Sequence, residues 1–223
     1  MSNLSVWTKV DDYFSEELIG EDVVMEGILE ANQAANLPAI DVSPNQGKFL
    51  NLLAKVKGAK RILEIGTLGG YSTTWLARAL PVEGQLVTLE YSEKHAKVAT
   101  ENLKNAGVDH LVNIFVGPAL DTLPTLADKG FSSFDLIFID ADKVNNPQYV
   151  KWGIELAKPG AIMIVDNVTR GGRVLDSSSE DESVQGVRNC LELLKSDPRI
   201  DSTAIQTVGA KGYDGFVMGI VQK

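Results

Sequence analysis

Five short apolar runs recur along the chain: residues 61–65 (RILEI), 85–90 (QLVTLE), 112–116 (VNIFV), 134–140 (FDLIFID) and 161–165 (AIMIV). Stretches with helical spacing separate them, as in residues 71–79, 94–106 and 149–157. Runs this short and this apolar predict strands buried on both faces. Their alternation with helices predicts right-handed crossovers and a parallel sheet with helices on both faces. Further on, Val184, Val187, Leu191 and Leu194 recur at helical spacing and predict an amphipathic helix. Two last strand-like runs, 203–208 and 215–221, flank the turn-rich GAKGYDG. So short a separation predicts a hairpin, and with it an antiparallel last strand. The fold class is therefore α/β, a Rossmann-like mostly parallel sheet of seven strands.

Residues 1–40 precede the first strand and read as a helical extension of a single domain spanning 1–223. Val6, Val10 and Phe14 fall near one face, as do Val24, Ile28 and the 31–35 region. Ser43-Pro44-Asn45-Gln46 reads as a capping box with proline at the first helical position, opening a helix through Phe49, Leu50 and Leu53. Ser177 to Glu182 (SSSEDE) reads as a solvated loop.

Composition narrows the class. A chain of 223 residues, 44% apolar and 23% charged, has the makeup of one ordinary globular domain. The acidic start carries no basic n-region or apolar run of a signal peptide. No apolar stretch approaches the ~18–20 residues of a membrane span. With Cys190 as the lone cysteine, no intrachain disulfide forms, which fits a reducing cytosol and predicts a cytoplasmic protein. A net charge of -9 argues against a nucleic-acid backbone as partner. His95 and His110 have no Cys or His at ligand spacing and read as structural, and Cys190 reads as buried.

The first strand ends in Glu64-Ile65-Gly66-Thr67-Leu68-Gly69-Gly70-Tyr71-Ser72. A glycine-rich strand-to-helix turn lets a ligand approach the backbone and its N–H groups. The dinucleotide fingerprint wants glycine where Leu68 stands, and Glu64 would oppose a pyrophosphate, so a cationic, phosphate-free ligand suits this turn better. Glu90 closes the second strand at the spacing where an acid grips a ribose. Gly117-Pro118-Ala119, after the third strand, offers an adenine wall. Strand four ends in Asp140-Ala141-Asp142-Lys143 and strand five in Asp166-Asn167. Carboxylates at neighbouring strand ends crowd negative charge unless a cation lies between them. Two carboxylates and an amide oxygen form a hard-oxygen set suited to Mg²⁺, Mn²⁺ or Ca²⁺ rather than zinc.

These segments resemble the cation-dependent small-molecule O-methyltransferases, the family of catechol and caffeoyl-CoA O-methyltransferases, in a bacterial form. The likeness runs through VSPNQGKFL (42–50), LEIGTLGGYST (63–73), Glu90, GPALDTLP (117–124), FIDADK (138–143), DNV (166–168) and YDGF (213–216). The Asp-x-x-Lys followed by Asp-Asn is its specific part. The resemblance implies a class I methyltransferase with S-adenosylmethionine contacts at Val42, Glu64, Gly66, Thr67, Ser72, Glu90, Ala119 and Asp140. It implies a divalent cation, Mg²⁺ first, on Asp140, Asp166 and Asn167, with Lys143 as the base. A plain ion pair of Lys143 with Asp140 or Asp142 is the competing reading. The acceptor it implies is a small aromatic with two adjacent hydroxyls, such as a catechol, flavonoid or hydroxycinnamoyl compound, and the assembly a homodimer. Action on a hydroxylated tRNA base, or cofactor binding without catalysis, are the other readings. Val168-Thr169-Arg170-Gly171 departs from the pattern, since an aromatic residue commonly follows the Asp-Asn pair. Arg170 there is either an acceptor contact or a solvated loop residue, and Tyr213 is expected to cover the mouth of the site.

Overall fold

A computed structural model describes residues 2–222. The five predicted parallel strands form as β1 (Arg61–Ile65), β2 (Gln85–Glu90), β3 (Val112–Val116), β4 (Phe134–Ile139) and β5 (Ala157–Asp166). With β6 (Ile200–Gly209) and β7 (Gly212–Val221) they make a seven-stranded sheet in the order β3-β2-β1-β4-β5-β7-β6. β7 is antiparallel to both of its neighbours. The hairpin is tighter than the composition of GAKGYDG predicts, because β6 and β7 pair through Gly209 and Gly212 across a two-residue turn. β5 also begins earlier than its apolar run, and an irregular register between Phe134 and Leu136 admits its polar start.

Alternate residues of each strand feed two cores. Leu63, Ile65, Ile137, Ile139, Met163 and Val165 pack on one side against α7 (Asn146–Leu156) and α8 (Glu182–Ser196), with the single turn α6 (Ala119–Thr122) following β3. Ile62, Leu86, Leu136, Phe138 and Ile164 pack on the other, beneath α2 (Val23–Ala34), α3 (Pro44–Lys57), α4 (Tyr71–Ala77) and α5 (Glu93–Asn105). Helices therefore cover both faces, as parallel strands require. Cys190 is buried in the first core, in α8.

The N-terminal extension divides. α2 buries Met25 and Ile28, whereas α1 (Asn3–Leu18) buries no residue. Val6, Val10 and Phe14, whose spacing predicts a packing face, are exposed. α1 touches α3 and β6 only lightly, the latter where Asp11 accepts the Ala210 N–H. Among the described residues no helix is long and apolar enough to cross a membrane.

Candidate active site

All five parallel strands end at one edge of the sheet, and the chain order reverses between β1 and β4. Open α/β sheets bind ligands at such a switch point. A cavity of about 800 Å³ opens there. Val42, Gly66, Thr67, Ser72, Glu90, Ala119, Asp140, Lys143 and Asn167 all line it. Glu64 and Asp166 do not; they are 0% and 4% exposed, buried behind residues that do.

The glycine turn is built by contacts as much as by glycine. Gly66 takes φ +104, and a Cβ on it would strike the Asp140 carbonyl, so the ends of β1 and β4 touch only because no side chain intervenes. Leu68, standing where the dinucleotide fingerprint has glycine, takes a left-handed φ of 49, at a cost of about 1–2 kcal/mol. Glu90 holds it there. Its Oε2 accepts the Leu68 and Thr67 N–H groups at 2.8 and 3.2 Å, and its Oε1 accepts that of Ser92 at 2.9 Å. His95 Nδ1 lies 3.2 Å from the same Oε1, and His95 lines the cavity. The helical face of α5 sets His95 one turn beyond the strand end, a juxtaposition that ligand spacing in the sequence does not reveal.

Glu64 is wholly enclosed. Ser72, Thr73 and Thr88 donate hydroxyl hydrogens to its carboxylate at 2.6, 2.5 and 2.7 Å. Burial dominates and pushes the carboxyl up to about 7; the three hydroxyls oppose that and the nearby Asp140 charge adds to it. A carboxyl raised in the folded state stabilises fully below its unfolded value near 4.5, and that contribution is lost as pH rises through about 7. Thermal midpoints of the ligand-free protein, measured against Glu64→Gln between about pH 5 and pH 8, should therefore fall relative to the variant as pH rises. A constant difference across that range would contradict an uncharged Glu64 at the acid end.

At the far side, Lys143 Nζ donates to Asp140 Oδ1 at 2.7 Å, and the lysine is only 7% exposed. Asp142, the alternative partner, is engaged elsewhere: it accepts from the Tyr149 hydroxyl at 2.5 Å and from Asn145 Nδ2 at 2.7 Å. Asp166 Oδ2 accepts from Gln46 Nε2 at 2.6 Å, and Oδ1 from the Asn167 N–H at 2.9 Å. The capping box is thus half made. Ser43 caps Gln46 N at 3.2 Å, but the Gln46 side chain reaches into the site instead of back to the cap. Burial, then the Asp140 charge, raise the Asp166 carboxyl well above the usual carboxylate range, while Lys143 acts in the other direction. Asn167 takes a left-handed φ of 57 at the cavity wall.

Among the described residues no group of three or more His, Cys, Asp and Glu side chains is placed to hold a metal. The set here is two carboxylates and an amide. It fits a hard cation all the same, because burial and the Asp140 charge oppose ionisation of Asp166 and every donor is oxygen.

Arg170 also lines the cavity. Tyr213 does not; it lies on β7 and hydrogen-bonds Gln206 across the hairpin, so the expected cover of the mouth is absent from that position.

Residues 15–216 match the family model described as O-methyltransferase. The chain belongs to the O-methyltransferase family. A catechol O-methyltransferase of Mycobacterium tuberculosis is 53% identical over 96% of this chain and 95% of its own. The solved O-methyltransferase from Bacillus cereus, in complex with SAH, is 53% identical, superposes with a TM-score of 0.97 and covers 98% of this chain and 100% of its own. The O-methyltransferase TomG from Streptomyces achromogenes, involved in tomaymycin synthesis and solved in complex with SAM, is 48% identical over all of both chains, also with a TM-score of 0.97. A class I methyltransferase sheet therefore carries the site of this O-methyltransferase.

Proposed function

We propose that this O-methyltransferase moves the methyl group of S-adenosylmethionine to one oxygen of a vicinal-dihydroxy aromatic, a catechol, flavonoid or hydroxycinnamoyl compound, with a divalent cation, Mg²⁺ first, in the site. One observation carries the reading: the ion-paired Lys143, Asp140 and Asn167 line the same cavity as the glycine turn and Glu90, with the buried Asp166 carboxylate directly behind Asn167. The SAM- and SAH-bound relatives support the methyl donor, and the M. tuberculosis catechol enzyme supports the acceptor. Residues 1–223 then act as one domain, with 1–40 as a helical extension. The exposed apolar face of α1 suits a homodimer, the commonest closed assembly.

On this reading Val42, Gly66, Thr67, Ser72, Glu90 and Ala119 hold S-adenosylmethionine, with Glu64 positioning Ser72 from behind and Asp140 shared with the metal set. Glu90 takes the ribose hydroxyls, and Ala119 stands against the adenine. A cation held by Asp140, Asp166 and Asn167 would supply positive charge beside the acceptor and so favour loss of a phenol proton. Lys143 takes that proton at Nζ, and the resulting ammonium stays paired with Asp140. The acceptor oxygen forms its bond to the methyl carbon as the carbon–sulfur bond breaks, and that bond's electron pair returns to sulfur, so the sulfonium leaves as a neutral thioether. Alignment of oxygen and methyl supplies up to ~7–11 kcal/mol in the best-oriented systems.

Cofactor contact is tested by Glu90→Ala. Loss of charge-assisted hydrogen bonds should weaken binding of S-adenosylmethionine and S-adenosylhomocysteine by roughly tenfold or more in calorimetry. Tighter binding of NAD than of either ligand would remove the methyl donor from the account.

A further inference from the structure

Arg170 occupies the loop after β5, three residues beyond Asn167, and lines the cavity. Its backbone is held in the left-handed region at φ 51. Long side chains adopt that conformation seldom, and it persists where surrounding bonds impose it. Those bonds are present: the Thr169 N–H and hydroxyl both donate to Asp214 Oδ1, at 3.1 and 3.0 Å, and Arg173 Nε donates to the Arg170 carbonyl at 3.2 Å. The loop is thereby locked into a shape that presents the Arg170 side chain at the wall.

The guanidinium has nothing to bind. Arg170 Nε is sealed from solvent without a hydrogen-bond partner. None of the ion pairs among the described residues includes it. The neighbouring arginines differ, since Arg173 pairs with Asp181 at 2.6 Å and Arg188 donates to the Val174 carbonyl at 2.6 Å. Nor is a nearby acid left over. Asp140 holds Lys143, Asp142 holds Tyr149 and Asn145, and Asp214 Oδ1 already accepts from Thr169 and Gly215. Arg170 is half-buried with its Nε unsatisfied, and a strained loop that keeps this unpaired charge at the cavity wall points to a ligand group that meets it.

We infer that Arg170 determines acceptor specificity by binding a carboxylate carried on the aromatic acceptor. The guanidinium edge formed by its two terminal nitrogens, rather than the sealed Nε, matches the two oxygens of a carboxylate side by side, whereas a neutral substituent leaves the charge unmet. The inference rests on the catechol reading above, and adds that the preferred catechols are acids.

The test uses the full chain with saturating S-adenosylmethionine and Mg²⁺. Two catechol acids of different reach, 3,4-dihydroxybenzoate and caffeate, are each compared with their methyl esters. For at least one pair kcat/KM should favour the acid by about tenfold or more, as expected for a charged hydrogen-bonded contact. Arg170→Gln should bring that ratio close to one, and Arg170→Lys should retain part of it. Because the variant's ratio is compared with that of the unaltered protein, intrinsic reactivity differences between acid and ester cancel, and so does any loss of folded protein. Acid and ester used equally by the unaltered protein at both lengths, or a preference that survives in Arg170→Gln, would overturn the inference while leaving catechol methylation intact. If none of the four diols is methylated, the catechol reading itself fails and this inference falls with it.

Discussion

Replacing Lys143 by methionine should lower kcat toward a catechol by about 10²–10⁴-fold at neutral pH, the range that general base catalysis contributes. Methionine approximates the length of the lysine and suits its buried position, so the loop after β4 should keep its place. The loss should shrink as pH rises toward the range where the acceptor ionises unaided, because the missing group is a proton acceptor rather than a binding contact. Initial rates across alkaline pH, beside a thermal melt to confirm folding, decide the matter. A variant within a few-fold of the unaltered protein at neutral pH would reduce Lys143 to the ion-pair partner of Asp140 that the 2.7 Å contact also allows.

Removal of divalent cations with a chelator should have a comparable effect, a fall of roughly a hundredfold or more, reversed by Mg²⁺ or Mn²⁺. Asp166→Ala should reproduce it. A second readout separates metal binding from catalysis. Burial and the Asp140 charge oppose ionisation of Asp166 in the ligand-free protein, so a cation bound at this site should raise the thermal midpoint of the unaltered protein. Asp166→Ala, which lacks one of the two charges, should gain little from added Mg²⁺. Full activity in chelator, with no Mg²⁺-dependent rise in the midpoint, would remove the cation from the mechanism.

Much of the frame is legible in the sequence because buried parallel strands leave no choice of residue. β1, β2 and β4 are buried on both faces, and their runs mark them within a residue or so, as the run of the half-buried edge strand β3 also does. β6 is legible only in part, since most of its residues are exposed and its polar positions blur the boundary. Helical spacing alone misleads in α1, where Val6, Val10 and Phe14 form a face that meets no core of this chain. In the site, the acids at strand ends stand out because charge after an apolar run is conspicuous. Gln46, His95, Asn145 and Tyr149 do not, because each reaches the site from a helix or turn whose approach depends on tertiary packing. Gln46 is instructive: a cap motif explains it locally, and the 120-residue separation from Asp166 hides its other partner.

The central claim, metal-assisted methylation of one oxygen of a vicinal pair, is tested most directly by following labelled methyl transfer from S-adenosylmethionine. A catechol and its monohydroxy analogue are offered under saturating cofactor and Mg²⁺, each with and without chelator. Transfer is expected to the diol in Mg²⁺, little to the monophenol, and neither reaction in chelator. Equal rates for diol and monophenol, or transfer to the diol undiminished by chelator, would contradict it.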